Sequence, residues 1–248
     1  LYTNEGSGED SCIADVDNDG KVEYLTADCY REDAAKVLIF EFDDAGELEI
    51  PPRVVIEGYD KPAFNCSLET GDVDNDGANE LVVMWKGKTD ENHGTLLAYD
   101  IGQNGARVAY TFAYEDPDLD LGYAEKMMCI ADADNDGLND LVVTTRGEPP
   151  WNGNGLGHVL LFTAKAPDVT TKEIIADFQP GTADALWPAV GDADNDGKNE
   201  IVVATGVGNR EEPGTSHVVI IEKIETTGGF GGGGFGGGGS YGGFKRPE

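Results

Sequence analysis

The stretch that decides the fold is residues 132–144, which read Asp-Ala-Asp-Asn-Asp-Gly-Leu-Asn-Asp-Leu-Val-Val-Thr. Closely related stretches begin at Asp15, Asp72 and Asp192, at nearly equal intervals of the sequence. Self-similarity at a fixed period is the signature of a repeat architecture, in which each repeat is one supersecondary unit. The chain is therefore predicted to contain four equivalent structural units.

Each repeat also predicts four β-strands. Runs of β-branched and aliphatic residues precede and follow the acidic loop, as at residues 126–130 and 140–144, and two further runs follow at 158–162 and 172–176. Runs of this length, bounded by turn residues, indicate half-buried or buried strands. No helical pattern separates them, and four strands per repeat are typical of a propeller blade. We therefore predict an all-β fold, a β-propeller of four four-stranded blades with the acidic loop between the first two strands of each blade.

The fourth repeat lacks an obvious outer strand, because the expected position falls in a glycine-rich segment at residues 228–243. Polyglycine loses much backbone entropy on ordering and has no side chain to pack. Residues 1–3 of the same chain, or a strand donated by a neighbouring molecule, would supply the missing edge, and the sequence leaves this choice open. The predicted organisation is a four-repeat propeller at residues 1–227 and a Gly/aromatic-rich tail at residues 228–248.

The acidic loop has the composition of a site for a hard cation. Three aspartates at alternate positions, a glycine at the sixth and an acid at the ninth can surround one ion, and Ca²⁺ accepts about six to eight oxygens at flexible geometry. An EF-hand begins similarly but needs a Glu at position twelve and a following helix. Position twelve here is Thr26, Val83, Val143 or Val203. Solvated acidic turns are the other interpretation, but clustered like charges repel one another unless a cation lies between them.

Four Ca²⁺ sites are thus predicted, one in each loop. Each set has carboxylates at loop positions one, three, five and nine and a backbone carbonyl at position seven. The predicted ligands are Asp15, Asp17, Asp19, the Lys21 carbonyl and Glu23; Asp72, Asp74, Asp76, the Ala78 carbonyl and Glu80; Asp132, Asp134, Asp136, the Leu138 carbonyl and Asp140; and Asp192, Asp194, Asp196, the Lys198 carbonyl and Glu200.

These loops resemble the FG-GAP/VCBS repeats of integrin-type and related extracellular β-propellers, in which a D-x-D-x-D-G-x-x-[DE] loop joins the first two strands of a blade. The resemblance covers all four repeats. It implies a secreted or cell-surface, calcium-stabilised scaffold, and it supplies no catalytic set. Many such propellers have more blades than the four found here, so a small closed propeller and part of a larger one are both compatible with the repeat number.

The charge of the chain excludes several classes of partner. The 248 residues include 48 Asp and Glu against 17 Lys and Arg, which gives a formal net charge of −31. Nucleic acids and anionic membrane surfaces attract basic patches, so neither is expected as a partner. No apolar run approaches the length of a membrane span, and no membrane insertion is expected.

The tail has two interpretations. Gly-rich composition is typical of a flexible linker. Its aromatic residues also suit anchors that insert into grooves of another copy, and such heterologous contacts can grow into a filament. We therefore predict self-association through four of them: Phe230, Phe235, Tyr241 and Phe244.

The cysteines allow two disulfides or none. Their predicted places allow Cys29–Cys66 between neighbouring blades and Cys12–Cys129 across a narrow channel, and four free thiols are an equally good interpretation.

No catalytic motif is recognisable. A Gly-x-Ser-x-Gly elbow, a P-loop and a His-containing metal motif are all missing from the sequence, and the cation sites account for many of the carboxylates. We therefore expect a non-enzymatic structural subunit of an extracellular filament or other assembly. Loops containing Trp85 and Trp151 suit sugar binding, so a glycan- or protein-binding, lectin-like adhesion module is the alternative. A carbohydrate-active enzyme fragment with a carboxylate pair is the third.

Overall fold

The computed structural model describes residues 7–29, 35–57, 63–87, 94–103, 105–116, 127–145, 157–166, 169–178, 184–206 and 217–222. The regular structure in these ranges is β-strand, and they contain no helix long and apolar enough to cross a membrane. The strands are β1 Ser7–Ala14, β2 Glu23–Cys29, β3 Lys36–Phe40, β4 Val54–Glu57, β5 Ala63–Gly71, β6 Glu80–Gly87, β7 Gly94–Gly102, β8 Gly105–Asp116, β9 Met128–Ala131, β10 Asp140–Thr144, β11 Gly157–Ala166, β12 Val169–Phe178, β13 Asp184–Gly191, β14 Glu200–Gly206 and β15 His217–Ile221.

The strands form four antiparallel sheets in which chain neighbours are also sheet neighbours. Blade 1 is β1–β4, blade 2 is β5–β8, blade 3 is β9–β12, and the described part of blade 4 is β13–β15. The predicted all-β propeller of four blades is confirmed. Three blades have four strands; the edge of blade 4 beyond β15, residues 1–3 and the tail lie outside the described residues.

The blades repeat one another residue by residue. Each acid at loop position nine begins the second strand, and the next residue pairs with an aromatic or aliphatic residue of the third strand. The equivalent pairs in blades 1 to 4 are Tyr24–Phe40, Leu81–Tyr99, Leu141–Phe162 and Ile201–Ile221. Since successive side chains of a strand point to opposite faces, this common register fixes which residues face the preceding blade and which face the following one.

The hydrophobic core lies between the blades as three clusters. The first joins blades 1 and 2, with Leu25 and Val83 both fully buried. The second joins blades 2 and 3 and includes Met84 and Phe162, and the third joins blades 3 and 4. Because both faces of blades 2 and 3 are covered, their central strands are continuous apolar runs instead of alternating ones.

Two expectations about individual side chains are wrong. Cys12, Cys66 and Cys129 are thiols in the structure, so neither the Cys29–Cys66 nor the Cys12–Cys129 disulfide is formed. Trp85 is not a sugar-binding loop residue, because it lies in β6, is 3% exposed and packs in the first core cluster. Its indole N–H donates to the Tyr99 hydroxyl at 3.3 Å. Trp151 lies outside the described residues.

Candidate metal centre

Each acidic loop joins the first two strands of its blade, as predicted. The asparagine at position four has a left-handed backbone, with φ between 61° and 64° in the four loops, and the glycine at position six has φ between 88° and 94°. Asparagine and glycine are the residues that adopt this region most readily. The Asn-Asp-Gly sequence therefore produces the tight turn that folds the loop back on its own acids.

Hydrogen bonds within the loop orient three of the acids, as loop 2 illustrates. Asp72 Oδ2 accepts from the Gly77 N–H at 3.0 Å, and Asp74 Oδ1 accepts from the Asp76 N–H at 3.0 Å. Asp76 Oδ1 accepts from the Ala78 N–H at 2.8 Å. The equivalent three bonds are present in the other loops. The backbone thus holds one carboxylate oxygen of each residue, and in loops 1 and 4 the second oxygen of Asp15 and of Asp192 also accepts, from the N–H at position five.

The acid at position nine is buried in every loop. Its exposed fraction does not exceed 3%, and one of its oxygens accepts from the backbone N–H at position two at 2.7–3.1 Å. This hydrogen bond joins the first residue of the second strand to the beginning of the loop. The four residues are Glu23, Glu80, Asp140 and Glu200.

The acids of each loop converge. In loops 1 and 3 the residues at positions one, three and five each have a carboxylate oxygen within 4.8 Å of the others; in loops 2 and 4 the residues at positions one, three and nine do. The groups are Asp15, Asp17 and Asp19; Asp72, Asp74 and Glu80; Asp132, Asp134 and Asp136; and Asp192, Asp194 and Glu200. The carbonyls of Lys21, Ala78, Leu138 and Lys198 remain predicted ligands.

Loop 3 differs at position nine, where the side chain is one methylene shorter than in the other loops. Asp140 Oδ2 accepts from the Ala133 N–H at 3.1 Å, and Asp140 Oδ1 accepts from the Thr163 hydroxyl at 2.8 Å. Both oxygens are therefore held by the protein, and Asp140 does not belong to the converging group of its loop.

Three buried carboxylate oxygens in these loops have no hydrogen-bond donor: Glu23 Oε1, Asp72 Oδ1 and Asp132 Oδ1. A buried oxygen carrying charge costs free energy unless a donor or a cation satisfies it. Carboxylate oxygens are the ligands that Ca²⁺ prefers. The residues present therefore fit a bound Ca²⁺ ion.

The pKa values of three buried loop acids are raised, as expected for carboxylates without a positively charged partner. Burial, helped by the neighbouring carboxylates of Asp74 and Asp76 and opposed by the hydrogen bond from Val73, raises the pKa of Glu80 from 4.5 to about 7. Burial likewise raises the pKa of Glu23 and of Asp140. A divalent cation would offset both the desolvation and the mutual repulsion of these groups.

An arginine beside loop 1 supplies a positive charge from the protein itself. Arg53, directly before β4, forms an ion pair with Asp17 at 3.0 Å and another with Glu41. Its guanidinium also donates to the Gly102 carbonyl of blade 2 at 2.8 Å. In loop 2 the equivalent of Asp17 is Asp74, which instead accepts a hydrogen bond from the hydroxyl of Tyr110. Burial and this hydrogen bond raise the pKa of Tyr110 to about 12.

Neighbouring loops are joined by an asparagine clasp, which we define as the hydrogen bonds between position four of one loop and position eight of the next. The Asn18 side chain donates to the Asn79 carbonyl at 3.1 Å and accepts from the Asn79 N–H at 2.8 Å. The Asn79 side chain in turn donates to the Asp15 carbonyl at 2.9 Å. Equivalent bonds join loops 2 and 3 and loops 3 and 4.

Comparison with known proteins agrees with this geometry. Residues 15–83 match a family model described as an FG-GAP-like repeat. The FG-GAP resemblance is confirmed. Over 178 residues, 65% of this chain, the sequence is 23% identical to integrin alpha pat-2 of Caenorhabditis briggsae and 24% identical to integrin alpha pat-2 of Caenorhabditis elegans. The aligned part spans 14% of the length of these relatives.

The sequence indicates the acids of the four loops but not the residues that connect the loops. The clasp had a visible signal, because position eight is Asn79, Asn139 and Asn199 in loops 2 to 4 and Val22 in loop 1. Arg53 had no such signal, because nothing in the sequence around it indicates that it lies beside an aspartate 36 positions earlier in the chain.

Proposed function

We propose that this FG-GAP propeller is a non-enzymatic, extracellular scaffold whose four acidic loops bind Ca²⁺. The observation that carries the proposal is the convergence of three carboxylates in each loop together with buried oxygens that have no donor. These acids belong to turns at one end of the blades, and the described residues do not surround them with the nucleophile, base and oxyanion donors of a catalytic site. Binding, and not catalysis, is what this arrangement supports.

Calcium would supply positive charge to a protein with a large negative excess. Asp72, Asp74 and Glu80 would hold it in loop 2, and the converging acids of each other loop would hold it there. Four ions would offset eight of the 31 net negative charges. Since the asparagine clasps join each loop to the next, a cation that orders one loop also orders its neighbour, and blade-to-blade packing is stabilised.

Calcium titration of the purified chain tests this proposal. Calorimetry should give a stoichiometry near four, and the melting temperature should rise with Ca²⁺ and fall on EDTA treatment. Each site contributes about 2.7 kcal/mol when free Ca²⁺ exceeds its Kd 100-fold. Mg²⁺, which demands octahedral geometry and keeps its waters, should stabilise much less at equal concentration. An unchanged melting temperature in Ca²⁺ would overturn the proposal.

The proposed biological role is that of a structural subunit in an extracellular filament or other assembly, with the tail as the joining segment. Phe230, Phe235, Tyr241 and Phe244 are the proposed anchors. Replacing these four residues by serine keeps the length of the tail and should abolish filaments in electron micrographs, as should deletion of residues 228–248. Filaments that persist in both variants would contradict the role of the tail.

A protein- or glycan-binding adhesion role is the second candidate, favoured by the similarity to integrin alpha pat-2. Retention on a polysaccharide or extracellular-matrix array, lost when Trp151 is changed to alanine, would support it. The Trp85→Ala variant is not a suitable probe, because this buried side chain belongs to the core.

A further inference from the structure

The contact between consecutive blades follows one pattern, best seen between blades 3 and 4. Val142, Val159 and Leu161 of blade 3 face blade 4 and are at most 1% exposed. On the opposite side of the contact, Ile201 and Val203 of blade 4 face blade 3 and are fully buried. Each blade therefore presents one apolar face to the blade before it and another to the blade after it.

The second face of blade 4 has the same apolar residues but no cover. By register, Val218 and Ile220 occupy the positions of Val159 and Leu161. They are 68% and 45% exposed, whereas Val159 and Leu161 are at most 1% exposed. The chemistry of a blade-to-blade contact is thus present on blade 4, and the contact is not made by the described residues.

The first face of blade 1 carries an exposed isoleucine, Ile13, at its inner edge, while Leu38 and Phe40 of the same face are buried. Ile13 pairs with Tyr24 as Ile130 pairs with Leu141, so Ile13 is the blade 1 equivalent of Ile130. Ile130 packs against Gly71 of blade 2, where its methyl carbon lies 3.3 Å from the place a Cβ would occupy. Ile13 is 62% exposed.

The seat for Ile13 is present at the other end of the chain. Gly191 precedes its loop as Gly71 does, and no atom lies within 4 Å of the place where its Cβ would be. Ile13 of blade 1 is exposed, and Gly191 of blade 4 leaves open the space that the Ile130 side chain fills beside Gly71. Among the residues that the structure describes, these two surfaces are not in contact with each other.

The asparagine clasp could continue across the same contact. Asn195 has the left-handed backbone of its equivalents, with φ of 64°. In the clasp, position four bonds to the backbone N–H and carbonyl of position eight, and Val22 at that position in loop 1 retains both groups. Val22 is 49% exposed. Only the side-chain bond made by Asn79 would be missing.

We infer that blade 1 of a second copy of this chain packs on blade 4, with Ile13 of one copy seated at Gly191 of the other. The occupant is argued from continuity, because the contact repeats the one between Ile130 and Gly71 that joins blades 2 and 3 inside the chain. It is heterologous: two copies close into one ring if the rotation allows it, and otherwise the array grows. An eight-bladed ring lies within the usual range of propellers. This contact uses neither the tail nor a bound ion.

Sedimentation of the full chain in Ca²⁺ over a range of concentrations tests the inference. The wild-type chain should self-associate, and Ile13→Asp and Val218→Asp should each weaken association at least tenfold while keeping the β-sheet spectrum. Val108→Asp is the matched control, since Val108 is 44% exposed on the outer strand β8 and should leave association unchanged.

Complementation makes the test specific for two different surfaces. A mixture of Ile13→Asp and Val218→Asp restores one intact contact, so differently labelled copies should form a mixed dimer in native mass spectrometry. A wild-type chain that stays monomeric would overturn the inference, as would association that survives Ile13→Asp. Association lost only on deletion of residues 228–248 would assign it to the tail and would also overturn the blade contact.

Discussion

Asn75 and Asn139 bond to each other across the boundary between blades 2 and 3. The Asn75 side chain donates to the Asn139 carbonyl at 3.1 Å and accepts from the Asn139 N–H at 2.7 Å. Asn75 has a left-handed backbone, so the same residue that turns its loop also holds the next one. The backbone geometry of one candidate cation site is therefore coupled to the packing of its blade against the next blade.

Asn75→Gly should destabilise the protein by about 1–2 kcal/mol, because it removes both side-chain bonds of the clasp while glycine accepts the left-handed backbone. Chemical denaturation in the Ile13→Asp background measures the change on chains in which the proposed intermolecular contact is weakened. The control is Asn195→Gly, which makes the same backbone change in loop 4, where the described residues offer no clasp partner.

The two glycine variants share the added entropy of the unfolded chain, so their difference isolates the clasp. Asn75→Ala should be less stable than Asn75→Gly, because alanine is strained in the left-handed region. Equal stability of Asn75→Gly and Asn195→Gly would show that the clasp contributes nothing to blade packing.

Much of the fold could be predicted because the same pattern of acidic loop and apolar runs occurs four times in the sequence. The loop composition and the periodic apolar runs identify the blades, and the bounds of the second strand of blade 3, Asp140–Thr144, are those predicted. The acids of the site could be predicted for the same reason, since turn geometry and ligand spacing are local properties of nine residues.

Contacts between repeats could not be predicted in the same way. Whether Ile13 is buried depends on what lies against blade 1, and a repeat sequence looks the same whether or not its neighbour is present. The burial of Trp85 depends on its place in β6, which extends beyond the predicted strand. The predicted disulfides required distances across blades, which residue spacing does not determine.

Asp132→Asn should remove one bound Ca²⁺ per chain. Asp132 Oδ1 is buried without a donor, and amide substitution takes away the charge while keeping the size of the side chain. Isothermal calorimetry should therefore show the stoichiometry reduced by one. The matched control, Asp44→Asn, changes an exposed acid outside the loops and should leave the stoichiometry at its wild-type value. An unchanged stoichiometry in Asp132→Asn would contradict a site in loop 3.

Arg53→Met should have opposite effects on stability and on calcium binding. The metal-free protein loses the ion pairs with Asp17 and Glu41 and the bond to the Gly102 carbonyl, so its melting temperature should fall by several degrees. Calcium at loop 1 should bind more tightly, because a competing cation is removed from Asp17 while the apolar stem is retained.

Arg107→Met is the control for Arg53→Met. Arg107 pairs with Asp100 at the surface, where its side chain is 78% exposed, and exposed pairs contribute little. Thermal scans and calcium titrations of both variants separate the two effects. Weaker calcium binding in Arg53→Met would show that the guanidinium organises loop 1 instead of competing with the ion.

Metal-free protein should become less stable as the pH rises from about 5 to 8. Glu80 has a pKa of about 7 in the folded chain against an ordinary value of 4.5. The folded state therefore binds the proton more strongly than the unfolded state, and the stabilisation present below pH 4.5 is lost as the pH passes 7.

Glu80→Gln, which stays neutral, should flatten the pH dependence of stability, whereas the exposed Glu47→Gln should not. Saturating Ca²⁺ should reverse the trend, because the ion binds the carboxylate form. Melting temperatures at constant ionic strength measure all three, and a metal-free protein that gains stability from pH 5 to 8 would contradict the buried, uncompensated carboxylate.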